Sequence, residues 1–276
     1  ILQTDGKTKA KNIDVGGSFK VKGELEADDV DVGGSLSTEG KTNIKKLDVG
    51  GAAKVGGGKI LEIDVGGSFE STLELELEKI DVGGTVLLVK KNKGGKVSVG
   101  GAFRVEGDLI FEDIDVGGRA EISGSGEGER IDVGGILEVN GHLKLSGRLE
   151  VGGKVEANGD VSAESIEVGG ELRASRVTAK SHVEIGGLVD TKEGVTARSF
   201  EIGKDGEARG PIRAGEVEIG KGARVGDIFG GRILLRKGAR AENVYGDSVT
   251  VESQCRINGE VQYTSELTLG DDVSLV

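Results

Sequence analysis

The chain has 276 residues, a formal net charge of −12 at pH 7, 51 glycines, one proline, one cysteine and two histidines. Its hydrophobic share of 36%, taken with the glycines, is ordinary for a folded protein, and the glycines have no three-residue period, which excludes intrinsic disorder and collagen. The acidic charge argues against a nucleic-acid partner, the single cysteine excludes an internal disulfide, and no apolar run is long enough to span a membrane.

Methionine is absent from the chain. Because a translated chain begins with methionine, we expect that Ile1 is not the original start. An N-terminal segment, with any targeting signal that it carried, is then expected to precede Ile1.

A repeat of 16 to 18 residues runs through the chain without linkers. Its clearest phrase is Ile13-Asp14-Val15-Gly16-Gly17. Sixteen apolar anchors mark the repeats, at Ile13, Val30, Leu47, Ile63, Ile80, Val97, Ile114, Ile131, Leu149, Ile166, Val183, Phe200, Val217, Ile233, Val249 and Leu267. Such a period is typical of a solenoid, so we expect a single continuous domain over residues 1–276.

Within each repeat the apolar residues come in pairs spaced by two. In the first repeat the pairs are Ile13 and Val15, Phe19 and Val21, and Leu25 and Ala27. Spacing by two is the period of a strand, and the intervals between pairs leave room for corners, whereas a helix needs spacings of three and four. The sequence therefore predicts an all-β, single-stranded parallel β-helix with triangular coils of about 17 residues.

Glycine pairs such as Gly16-Gly17 fall between two strand pairs. We expect them to turn the chain with positive φ, which glycine adopts without a Cβ penalty. Right-handed winding is the expected hand because parallel crossovers prefer it, although this coil length also suits left-handed hexapeptide helices. Sixteen coils stacked at about 4.8 Å would make a rod about 75 Å long.

Two coils look loosely filled. Gly126 and Gly128 place no side chain in the seventh coil, and Asn92 and Gly94 place little apolar volume in the fifth. Since solenoid stability is close to a sum over neighbouring coils, we expect local opening to begin there.

The residue after the anchor is acidic in nearly all of the first thirteen repeats. These positions are Asp14, Asp31, Asp48, Asp64, Asp81, Ser98, Asp115, Asp132, Glu150, Glu167, Glu184, Glu201 and Glu218. Flanked by inward residues, they are expected to point outward as a column with about 4.8 Å between neighbours. Two interpretations stand: a solvated stripe that keeps chains apart, and a surface that binds cations weakly and diffusely.

Reactive side chains are scattered along the repeats. Cys255 falls at an inward position, so we expect a core residue, and His142 and His182 fall at or beside corners with no partners for a triad. A polysaccharide-active enzyme or carbohydrate-binding module would need a cleft walled by loops, and the repeats leave no room for such loops. We expect no enzyme, no catalytic residue, no metal and no cofactor.

The two ends of a β-helix expose unpaired backbone groups around an apolar centre. Neither end of this sequence shows a capping pattern, although a missing terminal segment could supply one. We expect copies to stack end to end and, since such a contact does not close, to form a filament. The expected polymer-interface residues are Ile1, Leu2, Leu267, Leu269, Val273 and Leu275.

Glycine phrases of another kind recur near the C-terminus: Gly210-Pro211-Ile212, Gly222-Ala223-Arg224-Val225, Gly238-Ala239-Arg240-Ala241 and Ile257-Asn258-Gly259-Glu260-Val261. Through them, residues 200–276 resemble the bactofilins, a family of polymer-forming cytoskeletal proteins. The resemblance implies a right-handed β-helix that polymerises without nucleotide into non-polar filaments, often membrane-associated through a short terminal tail. Residues 149–276 are the more bactofilin-like coils, and the Asp-Val-Gly-Gly coils of residues 1–148 depart from the family's usual sequence pattern.

The sequence thus favours a structural protein that self-polymerises end to end into nucleotide-independent filaments, as a cytoskeletal or scaffold polymer. The expected partner is the chain itself, with no nucleic acid and no nucleotide, and with membrane or envelope association through a segment outside this chain. The expected location is the cytoplasm, either free or associated with the cytoplasmic surface of a membrane. The alternative is an extracellular β-helical fibre or adhesin stalk on the cell surface.

Overall fold

The computed structural model describes residues 1–90 and 92–276. The described residues form strands that pair in parallel and no helix, and successive coils make a β-solenoid of about 16 turns. The predicted all-β parallel β-helix is therefore confirmed. The chain divides into two compact units, Ile1–Gly141 (the N-terminal unit) and His142–Val276 (the C-terminal unit). The single continuous domain and the right-handed winding stay predictions.

The N-terminal unit contains the following strands: β1 (Leu2–Thr4), β2 (Thr8–Lys9), β3 (Asn12–Val15), β4 (Ser18–Val21), β5 (Leu25–Val32), β6 (Ser35–Thr38), β7 (Thr42–Val49), β8 (Ala52–Val55), β9 (Gly58–Val65), β10 (Ser68–Ser71), β11 (Leu75–Val82), β12 (Thr85–Val89), β13 (Asn92–Lys93), β14 (Lys96–Val99), β15 (Ala102–Glu106), β16 (Leu109–Ile110), β17 (Asp113–Val116), β18 (Arg119–Ile122), β19 (Gly126–Gly128), β20 (Arg130–Val133) and β21 (Ile136–Val139).

The C-terminal unit contains the following strands: β22 (Leu143–Leu145), β23 (Arg148–Val151), β24 (Lys154–Ala157), β25 (Val161–Ala163), β26 (Ser165–Val168), β27 (Glu171–Ala174), β28 (Val177–Ala179), β29 (His182–Ile185), β30 (Leu188–Thr191), β31 (Val195–Ile202), β32 (Glu207–Arg209), β33 (Ile212–Ile219), β34 (Arg224–Val225), β35 (Ile228–Leu235), β36 (Arg240–Ala241), β37 (Val244–Val251), β38 (Arg256–Ile257), β39 (Val261–Leu269) and β40 (Ser274–Leu275).

Each coil buries the residues that the two-residue spacing selects. In one coil of the N-terminal unit these are Val97, Val99, Phe103, Val105, Leu109 and Phe111, all 5% exposed or less. Full burial of a Val, Leu, Ile or Phe side chain stabilises a fold by about 1.5–3 kcal/mol. A continuous column of such residues therefore supplies most of the stabilisation between neighbouring coils.

One of the three corners is a bend inside a strand. In β5, Leu25–Val32, the buried residues Ala27 and Val30 are separated by two outward aspartates. The backbone amides of both Asp28 and Asp29 donate to the Lys11 carbonyl of the coil before, at 3.0 and 3.1 Å. Because these two consecutive amides share one acceptor, the chain bends between them. The parallel strand ladder continues before and after the bend. The strands β7, β9, β11, β31, β33, β35 and β37 span this corner in the same way.

The Gly-Gly corners do not have the backbone that we predicted. Neither Gly16 nor Gly17, nor their copies in later coils, has positive φ. Glycine is required there by close approach: a Cβ on Gly34 would lie 2.6 Å from the Gly17 carbonyl oxygen of the preceding coil. The Gly34 amide donates a hydrogen bond to that same oxygen at 2.9 Å. The same close approach recurs at the Gly-Gly corners of the later coils.

Positive φ occurs at other positions, among them Lys90 and Gly107, and it recurs in each of the last five turns of the C-terminal unit. One residue in each takes the left-handed conformation: Asp205, Gly222, Gly238, Gln254 and Asp272, with φ between 57° and 74°. Asp, Asn and Gly tolerate this conformation best, so Gln254 is the costliest of these positions.

The fifth coil is not empty where a loose interior was expected. Asn92 is 1% exposed, and its side chain accepts a hydrogen bond from the Leu75 amide at 3.0 Å and donates to the Lys90 carbonyl at 2.7 Å. Buried Thr38 and Thr42 likewise bond one another at 2.8 Å. These polar residues keep their hydrogen-bonding groups satisfied inside the apolar column, which is the condition for burying them.

Candidate functional site

The predicted interface residues lie in the outermost coils of the described chain. Ile1 and Leu2 are exposed at one end, and Leu269 and Leu275 at the other, while Leu267 and Val273 are half-buried. Each coil keeps the register of its inner neighbour, with Leu2 beside Phe19 and Leu275 beside Ile257. The structure thus places the six residues as predicted, and their role in assembly stays a prediction.

The acidic residues of the N-terminal unit form the column that their spacing predicts. Asp14 stands in register with Asp31, and the ladder continues from coil to coil, interrupted by Ser98 between Asp81 and Asp115. We call Asp14, Asp31, Asp48, Asp64, Asp81, Asp115 and Asp132 the aspartate column. All seven are exposed, and in the part of the chain that the structure describes none of them lies in an ion pair.

The glutamate column of the C-terminal unit is partly neutralised. Its members are Glu150, Glu167, Glu184, Glu201 and Glu218, in register from coil to coil. Arg148 lies 2.8 Å from Glu150, His182 lies 3.0 Å from Glu167, and Arg236 lies 2.8 Å from Glu218. Burial, together with the Glu218 and Glu184 carboxylates, raises the pKa of Glu201.

A groove of about 630 Å³ lies over this column. Its walls include His182, Glu201, Glu218, Arg232 and Thr250. Arg232 is held by Glu216 at 2.8 Å, and His182 by Glu167. Arg232 and His182 are therefore each paired with a glutamate, and Ser199 stands in register beside His182 in the groove.

A second charged surface of the C-terminal unit is basic. Arg224, Arg240 and Arg256 stand in register on three successive strands, and lysines occupy three successive turns beside them. We call Lys204, Lys221, Lys237, Arg224, Arg240 and Arg256 the basic strip. All six side chains are exposed.

The acids near the basic strip neutralise it only at its edges. Glu207 lies 2.7 Å from Arg209 and 3.6 Å from Arg224. Asp205 lies 3.7 Å from Lys204, and Arg256 donates to Asn258 at 2.8 Å. Arg240, between two arginines, has no ion-pair partner among the described residues.

Phe229 and Tyr245 form a stacked pair on another face of the C-terminal unit. Their ring centroids are 5.0 Å apart and their planes differ by 11°. The Arg213 guanidinium lies 5.0 Å from the centroid of Phe229. The pair is a contact between neighbouring coils, with Arg213 in register beside Phe229.

The three candidate reactive residues take structural positions. Cys255 is 1% exposed, as predicted for the core, and its thiol donates to the Arg236 carbonyl at 3.1 Å while burial raises its pKa. His142 lies at a corner, and its Nδ1 accepts a hydrogen bond from the Asp160 amide at 3.0 Å. His182 begins β29 directly after the bend at Ser181, beside a corner as predicted, and its ring lies 3.0 Å from Glu167 Oε1.

Within residues 1–90 and 92–276, no three His, Cys, Asp or Glu side chains are grouped as they would be to hold a metal ion. None of the described segments is a helix with the length and hydropathy needed to cross a membrane. Comparisons of the chain with protein-family models, curated proteins and solved structures find no match in any of the three.

The basic strip and the groove were not predicted from the sequence. The arginines of the strip recur every sixteen residues, which is the local repeat length, so following outward positions from coil to coil would have found them. The groove has no comparable signal in the repeat.

Proposed function

We propose that this chain is a structural protein that polymerises end to end, without nucleotide, into filaments that act as a cytoskeletal or scaffold polymer. The observation that carries the proposal is the register of the outermost coils. Leu2 pairs with Phe19, and Leu269 with Val251, in the same parallel register that joins interior coils. The outer edge of each terminal coil therefore offers a second copy the template that every interior coil offers its neighbour.

Apolar side chains at the terminal coils support the same contact. Leu269 is 45% exposed and Leu275 is 49% exposed, whereas Leu235, which occupies the position of Leu269 two coils earlier, is fully buried. A second copy stacked on this coil would remove both leucines from water. About ten backbone hydrogen bonds, at about 1 kcal/mol net each, would add to that burial.

The resemblance of residues 200–276 to the bactofilins supports the same kind of polymer. It points to a cytoskeletal filament whose partner is a further copy of the chain. A cytoplasmic location, and membrane or envelope association through a segment outside this chain, belong to the same proposal.

Electron microscopy of negatively stained protein, without nucleotide or metal, tests the proposal. The chain is expected to form thin unbranched filaments, and Leu269→Lys is expected to abolish them because it places a charge in the stacked interface while leaving the β-sheet circular dichroism unchanged. Leu73→Lys is the matched control, since Leu73 is 47% exposed but lies in an interior coil. Normal filaments of the Leu269→Lys variant would contradict the proposal.

A further inference from the structure

We propose that the basic strip of one copy binds the aspartate column of a second copy, side by side, through arginine–carboxylate pairs repeated once per coil. This contact is lateral, and of the two surfaces only Asp14 lies in a terminal coil. It does not rest on the end-to-end polymer proposed above, and it would hold either filaments or single chains together.

The first argument is that these two surfaces, like the glutamate column, stack like charges in register. Elsewhere, opposite charges on neighbouring coils pair with one another, as Lys54 does with Glu70 at 2.6 Å and Lys59 with Glu76 at 2.9 Å. Like charges in register across a parallel ladder repel and destabilise the pairing. The aspartate column and Arg240 carry that cost without an ion-pair partner among the described residues, whereas Arg224 lies 3.6 Å from Glu207.

The second argument is that the aspartate column, and Arg240 at the centre of the arginine ladder, make no ion pair among the described residues. No described cation lies within 4.0 Å of an aspartate-column carboxylate, and neither Lys46 nor Lys79, two residues before Asp48 and Asp81, makes an ion pair with the column. On the basic strip, Arg240 is flanked by Arg224 and Arg256 and has no described carboxylate partner. Arginine is suited to the contact because its planar fork binds a carboxylate through two hydrogen bonds.

The third argument is the common period. Both ladders advance by one coil per rung, about 4.8 Å, so a match at one rung brings the next rungs into register as well. Several weak exposed ion pairs then act together through a high effective concentration. The glycine pair beside each aspartate, such as Gly50-Gly51 beside Asp48, presents no side chain that would hold an approaching surface away.

A second copy is the occupant that the charges favour. The strip requires a linear anion with one charge per coil rise, and the aspartate column supplies such an anion in the same chain. Each copy carries both the column and the strip, so each copy supplies both sides of this contact.

Charge reversal tests the assignment. Variant A carries Arg240→Glu and Arg256→Glu, and variant B carries Asp48→Lys and Asp64→Lys. Lys192→Glu with Arg198→Glu, and Glu74→Lys with Glu78→Lys, are controls with the same changes in net charge at exposed residues outside both surfaces. All proteins also carry Leu269→Lys, so that end-to-end assembly does not contribute. Association is measured by sedimentation velocity at about 100 mM and about 500 mM NaCl. At about 100 mM the electrostatic screening length is about 10 Å. The long-range repulsion between two acidic chains is then weakened more than the attraction between charges at ion-pair distance.

The parent protein and both controls are expected to associate at the lower salt and to dissociate at the higher salt. Variants A and B alone should each lose at least tenfold in affinity, because each then faces like charge with like charge. An equimolar mixture of A and B should associate again, since the strip of B meets the column of A and the reversed strip of A meets the reversed column of B. The proposal is overturned if the parent stays monomeric, or if variants A and B associate as the parent does. It is also overturned if the mixture of A and B fails to associate, because the strip would then serve another anion.

Discussion

The ring of Phe111 lies over the backbone of Gly128 in the next coil. The two residues occupy the same inward position of successive coils, and the Phe111 amide donates to the Glu127 carbonyl at 3.0 Å. A Cβ built on Gly128 would overlap ring atoms Cδ2 and Cε2 of Phe111. The glycine therefore leaves no void in the seventh coil, because the phenylalanine below it fills the volume that a larger side chain would take.

This pairing makes a prediction about Gly128. Gly128→Ala should destabilise the fold by about 1–3 kcal/mol, because the ring must leave its rotamer or the coils must separate. Adding Phe111→Leu to Gly128→Ala should cost less than the two single changes together, with a coupling of about 0.5–3 kcal/mol in a double-mutant cycle. Chemical denaturation of the four proteins measures this, and additive effects would show that the two residues are not in contact.

The glycine corners make a prediction with an internal control. Gly34→Ala should cost about 1–3 kcal/mol, because its Cβ would lie 2.6 Å from the Gly17 carbonyl oxygen. Gly17→Ala, at the same corner one coil earlier, should change stability by no more than about 0.5 kcal/mol, because no atom lies within 4 Å of its Cβ. Thermal unfolding of both variants distinguishes close approach from a backbone requirement. If positive φ were the cause, both would be destabilised alike.

Glu201 and Glu252 should respond to pH in opposite ways. Burial and two carboxylates raise the pKa of Glu201, so its native state binds the proton more tightly than the unfolded chain does, and the stability that this contributes is lost as pH rises through the raised pKa. Glu201→Gln should therefore stabilise the protein slightly at neutral pH, since solvent screens the repulsion at this exposed residue, and lose its advantage below the ordinary glutamate pKa.

Glu252 supplies the control. A hydrogen bond from the Lys237 amide and one from Arg236 lower the pKa of Glu252, so its contribution is present above the ordinary glutamate pKa and is lost as pH falls through the lowered pKa. Glu252→Gln should destabilise the protein at neutral pH and become neutral in acid. Unfolding free energies from about pH 3 to 8 check both variants, and a Glu201→Gln variant that is less stable than the parent at neutral pH would contradict the assignment.

The fold could be predicted because its cause is local and repeated. Val97, Val99 and Phe103 show the two-residue spacing and the corner interval directly in the sequence, and every coil restates them. The outward-facing acidic column could be predicted from the same two-residue spacing, since a strand residue between two inward neighbours points to solvent. What the sequence concealed was contact between coils. Whether Gly34 is needed for its φ or for its missing Cβ depends on an oxygen seventeen residues earlier.

The surfaces were predictable only in part, and for a related reason. Asp48 is conspicuous because its phrase is nearly invariant along the chain, whereas Arg240 stands in a phrase that changes from coil to coil. Its significance appears only when Arg224 and Arg256 are placed above and below it. Ion-pair partners such as Arg236 and Glu218 depend on side-chain reach across coils, which the repeat does not determine.

X-ray fibre diffraction from aligned filaments of the chain is the most direct test of end-to-end assembly. Coils that stack along the filament axis should give a strong meridional reflection at about 4.8 Å. The stacking should continue across subunit boundaries, because the strand ladder of one copy extends that of the next. Filaments with this reflection on the equator would contradict the account, since coils would then stack across the axis. A solution that holds only discrete single chains would contradict it as well.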